Sequence, residues 1–361
     1  MARRYDLVVA GAGMAGLVAA VQATEREASV LVLEKGDRPG GSMRLSSGFS
    51  WRYREWERFR AECPAGDADL QRLVWERLDE DLAWLESLGA PVRERETANP
   101  LTVGLRFDPG GLTDFLAARA GEVRLGEPLR ELPDGTPVVL ATGGFQGDRE
   151  LVRRHVTPEA DALVLRANPW SAGDGLRLGL EAGGALSGGM DEFYGRNLPA
   201  PPARIPPGEF VGLAQLYARF AKVRGQTGEE YEARTWSETD VVQWTARQPN
   251  ARATYAVPDA ALRECVRDRT VAEMIACAEA AGGPVRRRAG VTEVDVVAGI
   301  TTTTGGLRVD TSGRVAGRAF AAGADVGGIS TGGYSSGLAA ALVLGRRAAD
   351  AALGLGLGLG G

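Results

Sequence analysis

Residues 5–16 read Tyr5-Asp6-Leu7-Val8-Val9-Ala10-Gly11-Ala12-Gly13-Met14-Ala15-Gly16. A short β-prone apolar run stops on a glycine and passes into a stretch of helical composition, Met14 to Ala23. A second apolar run, Val30-Leu31-Val32-Leu33, follows. Strand, glycine turn, helix, strand predicts a βαβ unit. Within GAGMAG, Gly11 permits a tight turn, Gly13 lets a pyrophosphate approach the backbone, and Gly16 lets the helix pack on the strand; Ala15 lies between them. The helix N-terminus adds amide donors and positive potential. Glu34, at the end of the second run, offers a carboxylate to an adenosine ribose and disfavours a 2′-phosphate.

The choice between FAD and NAD is read at the other end of the chain. Ala321-Ala322-Gly323-Ala324-Asp325 follows a short apolar segment and precedes a glycine-rich run into a helix. Asp325 can accept from ribityl hydroxyls. A helix opening near Ser335-Ser336-Gly337 would aim amides at the pyrimidine edge of a flavin and stabilise negative charge there. A nicotinamide site needs neither, so an NAD-only dehydrogenase leaves both unexplained. The expected cofactor is FAD.

The rest of the chain supports a large α/β fold. At 361 residues with 44% hydrophobic content the chain can bury a sizeable core, and it is long for one ordinary domain. A formal net charge of −5 carries no basic footprint, which argues against nucleic acid and anionic membranes and for a small-molecule ligand. No apolar window is long enough to span a membrane. Cys63, Cys265 and Cys277 match neither a metal site nor a disulfide framework; we read them as packing residues in a reducing, cytoplasmic setting, and expect no metal. Helical periodicity runs from Asp69 to Leu88, and Thr113 is a candidate cap for a further helix. Val138 to Ala141 predicts a buried strand that rejoins the first sheet. Between Asp191 and Ala298 the composition shifts, with a proline-rich entry, more aromatics and a helix-like stretch from Ala260 to Ala281. We expect a Rossmann-like FAD-binding domain in two pieces, 1–190 and 299–352, with 191–298 inserted as an α+β cap, or substrate, domain and 353–361 as a low-complexity tail.

Six segments carry a resemblance: GAGMAG, LEKGDRPGGS at 33–42, VVLATGGF at 138–145, SAGDGLRLGLEAGG at 171–184, TTTTGGLRVD at 301–310, and the run from Gly317 to Ala348. Together they resemble the fumarate reductase and succinate dehydrogenase flavoprotein superfamily, which includes the 3-ketosteroid dehydrogenases. The resemblance implies that Lys35, Gly40, Gly41 and Ser42 lie along the cofactor. It implies that Ala141, Thr142 and Gly143 flank its adenosine side with Asp174 nearby. It also puts Gly323 and Asp325 at the ribityl chain, with Ser335, Gly337 and Leu338 at the flavin. The histidine that membrane-bound relatives use for covalent attachment has no equivalent in GGSMRLSSGF, so FAD is expected to be non-covalent.

Two departures bear on chemistry. Dicarboxylate-reducing relatives carry histidines where this chain has Thr301 and Thr302, and an arginine where it has Tyr334. The single histidine, His155, lies in an Arg-rich segment that reads as solvated helix. A phenol at Tyr334 can hydrogen-bond a neutral carbonyl or move a proton, which makes Tyr334 the candidate catalytic residue, against packing of a glycine-rich turn. In the insert, Tyr194, Arg196, Tyr217, Tyr231, Arg234 and Tyr255 are candidates to face the flavin. The family's cap motif survives only as Gly225 to Glu230, and the β-meander before TGGF is reduced to Gly121–Thr136. The expected activity is FAD-dependent oxidoreduction of a CH–CH bond next to a carbonyl, by hydride transfer at flavin N5. The alternatives are a flavin oxidase of amines or hydroxy acids, and a flavin-binding protein without redox turnover.

Overall fold

The computed structural model describes residues 5–97, 99–233 and 237–354; Arg234 and the tail from residue 355 onward lie outside the described residues. The chain forms two compact units. The first comprises residues 1–148, 168–190 and 303–361, and the second 149–167 and 191–302.

In chain order the first unit opens with strand β1 (Leu7–Ala10), helix α1 (Met14–Glu25) and strand β2 (Val30–Glu34). Strand β3 (Phe49–Tyr53), helices α2 (Trp56–Glu62) and α3 (Ala68–Ser87), and strands β4 (Val92–Glu94) and β5 (Thr102–Phe107) follow. Helix α4 (Pro109–Ala117) and strands β6 (Glu122–Leu125) and β7 (Val138–Leu140) complete the first segment. The second unit supplies α5 (Arg149–His155) and β8 (Val164–Leu165), and the first resumes with α6 (Asp174–Glu181). The second unit then runs through β9 (Phe193–Pro199), β10 (Lys222–Gly225), α7 (Thr239–Ala246), β11 (Arg252–Pro258), β12 (Cys265–Val266), β13 (Arg269–Thr270), α8 (Val271–Ala280), β14 (Val285–Arg288) and β15 (Val291–Thr303). The first unit closes with β16 (Arg314–Ala316), β17 (Ala319–Ala321) and α9 (Gly337–Ala352).

The central sheet of the first unit has the order β16-β17-β7-β1-β2-β6. β1 is buried throughout and pairs in parallel with β2, Leu7 opposite Val30, and with β7, Val8 opposite Val138. A central parallel strand is covered on both faces, which is why β1 is a continuous apolar run with no polar alternation. The TGGF strand therefore does rejoin the first sheet, and β17 continues it in parallel, Ala319 opposite Val138. α9 packs on α1 and α3. Gly345 permits the approach, since a Cβ there would lie 2.7 Å from the Ala15 carbonyl oxygen. A small antiparallel sheet, β3-β5-β4, completes the unit.

The second unit holds a sheet ordered β10-β11-β15-β14, with β8 and β9 also pairing β15. Its core gathers Tyr217, Val223, Tyr255, Met274, Ile275 and Val294.

Several local expectations are corrected. Thr113 is not a cap: α4 starts earlier, at Pro109, because Asp108 accepts from the Gly111 amide, while the Thr113 hydroxyl donates to the Pro109 carbonyl inside the helix. The stretch from Ala260 to Ala281 is helical only from Val271, where Thr270 and Glu273 form a capping box; β12 and β13 occupy the part before it. Only Cys63 is a packing residue. Cys265 and Cys277 are exposed, Cys277 because α8 buries Val271, Met274, Ile275 and Ala278 on its opposite face. Among the described residues no helix is long and apolar enough to cross a membrane, and no His/Cys/Asp/Glu group is arranged to hold a metal.

Candidate cofactor and active site

The glycine loop between β1 and α1 shows three different constraints. Gly11 has a φ of 100°, and a Cβ on it would fall 2.3 Å from the Ala141 carbonyl oxygen. Gly16 is pressed against the turn, where a Cβ would lie 1.9 Å from the Gly11 oxygen. Gly13 is different: a Cβ there meets nothing within 4 Å. The first and third glycines are required by protein packing, and the second opens onto space at the N-terminus of α1, as a pyrophosphate cradle requires.

Glu34 is buried at the end of β2. One carboxylate oxygen accepts from the Ala12 amide at 2.7 Å and the other from the Gly36 amide at 2.6 Å, so the side chain braces the glycine loop. Each oxygen keeps a further lone pair for a hydroxyl donor. The Lys35 ammonium bonds Asp174 at 2.8 Å, and Gly36 packs beneath Trp170, whose ring leaves no room for a Cβ. The Gly40 amide donates to the Ala12 carbonyl at 2.7 Å, which folds Gly40 and Gly41 back over the first loop; a Cβ on Gly41 would lie 3.3 Å from Gly13 Cα. The Ser42 hydroxyl accepts from Asn168 Nδ2 at 2.8 Å. Asn168 and Trp170 were missed in the sequence because nothing local marks them; only the fold returns residues 168–174 to the β2 end.

On the other side of the loop, the Ala141 amide donates to the Ala10 carbonyl at 2.8 Å. Asp325 is 1% exposed and organises the turn after β7. It accepts from the Thr142 amide at 2.5 Å, the Gly144 amide at 3.1 Å and the Thr142 hydroxyl at 3.0 Å. Burial raises its pKa, and the Thr142 and Gly144 donors oppose that shift. The Asp325 carboxylate thus locks the C-terminal segment to the Thr142-Gly143-Gly144 turn, in which Gly143 and Gly144 both have positive φ. Gly323 comes close to α1, a Cβ on it falling 2.8 Å from Ala15 Cβ. α9 begins at Gly337 with Ser336 as N-cap, its hydroxyl accepting from the Ala339 amide at 3.2 Å. Gly337 is exposed, with nothing within 4 Å of a Cβ, and Leu338 is half-buried.

Tyr334 is half-buried in the turn that leads into α9. Its ring meets Trp51 edge-on, centroids 5.4 Å apart, and its carbonyl accepts from the Tyr53 hydroxyl at 2.7 Å. The Ser335 and Ser330 hydroxyls are 2.5 Å apart.

Within the second unit, Tyr217 and Tyr255 are fully buried core residues, with ring centroids 5.6 Å apart, rather than candidates to line a site. Tyr231 bonds Asp240 at 2.5 Å, and the Arg196 guanidinium lies 5.1 Å over the Tyr194 ring and donates to the Ser237 carbonyl. Thr301 accepts from Arg166 at 2.9 Å, a buried arginine that no sequence motif marks. Glu238 is held at a φ of 58°, and burial pushes its carboxyl up to about 7. His155 ends α5, and its pKa is lowered by partial burial and by Arg154, which favours a neutral imidazole.

Comparison with known proteins agrees with this geometry. The FAD binding domain family matches residues 6–113 and 134–338. A vinyl phenol reductase of Lactiplantibacillus plantarum is 25% identical over 247 residues, 55% of this chain and 50% of the relative. A cytochrome-type fumarate reductase of Shewanella frigidimarina is 25% identical over 230 residues, 50% of this chain and 40% of that protein. These alignments span half or less of each relative. Among solved structures, the open conformation of a flavocytochrome c3 fumarate reductase superposes with a TM-score of 0.73 at 20% identity, covering 99% of this chain and 79% of that one. A 3-ketosteroid-Δ4-(5α)-dehydrogenase from Rhodococcus jostii gives 0.71 at 19% identity, covering 97% and 96%. With a glycine cradle that fits a dinucleotide and a family match across most of its length, the chain belongs to the FAD binding domain family, and FAD is its cofactor.

Proposed function

We propose that this chain is an FAD-dependent oxidoreductase of CH–CH bonds that desaturates or reduces a small neutral molecule next to a carbonyl. The observation that carries the reading is Tyr334: a phenol set against Trp51 occupies the turn before α9, where the family resemblance implies an arginine in dicarboxylate-reducing members. A phenol is a poor clamp for a carboxylate and a good partner for a carbonyl oxygen. The names of the two relatives above fit reduction of a conjugated C=C bond, and the steroid dehydrogenase likeness fits a neutral ketone.

In this reading Gly13, Gly40, Gly41 and Ser42 hold the pyrophosphate side of the cofactor. Glu34, Lys35 and Asp174, with Ala141, Thr142 and Gly143, hold its adenosine side. Asp325 and Gly323 sit at the ribityl chain, and Ser335, Gly337 and Leu338 at the flavin. Ala15, packed against Gly323, keeps α1 and the C-terminal segment in register. FAD is held without a covalent bond, and when bound it supplies a two-electron acceptor or donor at N5. Tyr334 moves the proton that accompanies the hydride, as a phenolate when it takes that proton and as a phenol when it gives it back. In desaturation that proton leaves the carbon α to the carbonyl, and in reduction it returns there. The inserted residues 191–298 serve as the substrate domain. The three free cysteines support a cytoplasmic setting.

The test is Tyr334→Phe in the FAD-loaded protein, with reduced FAD reoxidised anaerobically by cyclohexenone and by fumarate. Turnover with the enone should fall by more than about tenfold while FAD stays bound, since a lost proton-transfer group costs about that much or more. Unchanged turnover, or fumarate outpacing the enone, overturns the reading.

A further inference from the structure

The residues around Tyr334 are arranged with more constraint than a packed turn requires. Phe49, Trp51 and Tyr53 alternate along β3, so their side chains share one face of the strand. The strand meets residues 334–336 at three points, two of them through that face. The Tyr53 hydroxyl donates to the Tyr334 carbonyl at 2.7 Å, the Trp51 ring meets the Tyr334 ring at 62° with centroids 5.4 Å apart, and the Ser336 hydroxyl donates to the Phe49 carbonyl at 3.3 Å. From behind, Gly333 is pressed on α2, where a Cβ would fall 1.7 Å from the Glu62 carbonyl oxygen. Tyr53 is fixed in turn: it is 1% exposed, its ring lies 5.5 Å from Phe59, and its own carbonyl accepts from Trp75 Nε1 at 3.0 Å.

We infer that Tyr53 and Trp51 are positioning residues for Tyr334, Tyr53 fixing its backbone and Trp51 the plane of its ring. The inference rests on the reading of Tyr334 as the proton-moving group and extends it to residues that act through Tyr334. A bare core tyrosine gains nothing from its hydroxyl, which must find a partner when buried. Here the partner is the backbone of the candidate catalytic residue. A proton transfer depends on the angle as well as the reach of its donor, so loosening this clamp should slow the chemical step without weakening substrate binding.

The experiment uses Tyr53→Phe, which keeps the ring and removes only the hydrogen bond, alone and combined with Tyr334→Phe. Trp51→Phe and Trp51→Leu are added, all with FAD bound and cyclohexenone as oxidant of the reduced protein. Amide hydrogen exchange of the 330–338 segment is measured with and without FAD. Tyr53→Phe should lower kcat about three- to tenfold, the range expected from one neutral hydrogen bond, with little change in KM. It should speed exchange at 334–337 and cost nothing further in the Tyr334→Phe background. Trp51→Phe should retain the activity that Trp51→Leu loses. An equal fall of kcat in both backgrounds, or exchange at 334–337 unaltered by Tyr53→Phe, overturns the proposal. If Tyr334→Phe alone leaves turnover unchanged, the reading of Tyr334 has failed, and the exchange measurement still decides whether the clamp exists.

Discussion

Gly13 and Gly16 are both glycines of one motif, yet the structure asks different things of them. Gly16 is required by the protein itself, because any side chain would collide with the Gly11 carbonyl 1.9 Å from its Cβ position. Beyond its own chain neighbours Gly13 has no protein atom within 4 Å of that position, so its smallness serves only what lies beyond it. Gly13→Ala should therefore leave the FAD-free protein with an unchanged thermal midpoint and weaken FAD by about tenfold or more, equivalent to about 1.4 kcal/mol. Gly16→Ala should lower the thermal midpoint with or without FAD. A fluorescence titration with FAD beside a thermal scan separates the two; equal behaviour of the variants would remove the distinction. At this scale the motif was legible because turn geometry and close approach act on neighbours in sequence. The partners of Glu34, and the return of Asn168 and Trp170 to the same place, were not. Nor was the role of Asp325 in holding the Thr142 turn, 183 residues away, since only the folded sheet puts β7 beside β17.

Among the elements, the layer of α1, α3 and α9 is joined by a buried polar chain. Arg346 on α9 donates to Asp81 on α3 and, at 2.9 Å, to Gln22 on α1, and it stacks 4.5 Å over Trp84. Asp81 is fully buried, and its second oxygen has no hydrogen-bond partner among the described residues. Burial pushes its carboxyl from 3.8 to about 6, with Arg346 and Arg347 opposing the shift. A carboxyl whose folded pKa is raised binds its proton more tightly in the folded state. Its contribution to stability is full below the unfolded value near 4 and lost as pH rises through about 6. Between pH 4 and 7 the wild type should therefore lose up to about 3 kcal/mol relative to Asp81→Asn, whose side chain does not titrate. Urea unfolding of both proteins across that range checks the sign, and parallel profiles would contradict it. The apolar spacing that announced α3 was readable, as was the Ala/Leu-rich run of α9, because helical periodicity is local. The Asp81–Arg346 pair, 265 positions apart, left no trace in either pattern. Start signals were readable in kind and misplaced in position: Asp108, not Thr113, caps α4, because an aspartate before proline satisfies an amide of the first turn.

For the whole molecule, the order of segments was enough to anticipate a parallel sheet built from pieces far apart in sequence. The GAGMAG, TGGF and AAGAD segments each end or follow a strand of that sheet: β1, β7 and β17. The second unit was much less readable. Its aromatic residues suggested a site, but the fold spends Tyr217 and Tyr255 on its core and places Arg166 and Glu238 in settings that no motif announced. A core tyrosine and a site tyrosine are indistinguishable until burial is known. The most direct test of the account as a whole follows the flavin itself: the visible spectrum of the purified protein, acid precipitation, and anaerobic titration with saturated cyclic ketones and cyclohexenone. The purified protein should be yellow and release its FAD on acid precipitation, and the bound flavin should be bleached by a saturated ketone or, once reduced, reoxidised by the enone. A flavin that stays bound to the chain through acid precipitation, or a protein-bound FAD that no ketone bleaches and no enone reoxidises, would contradict the account.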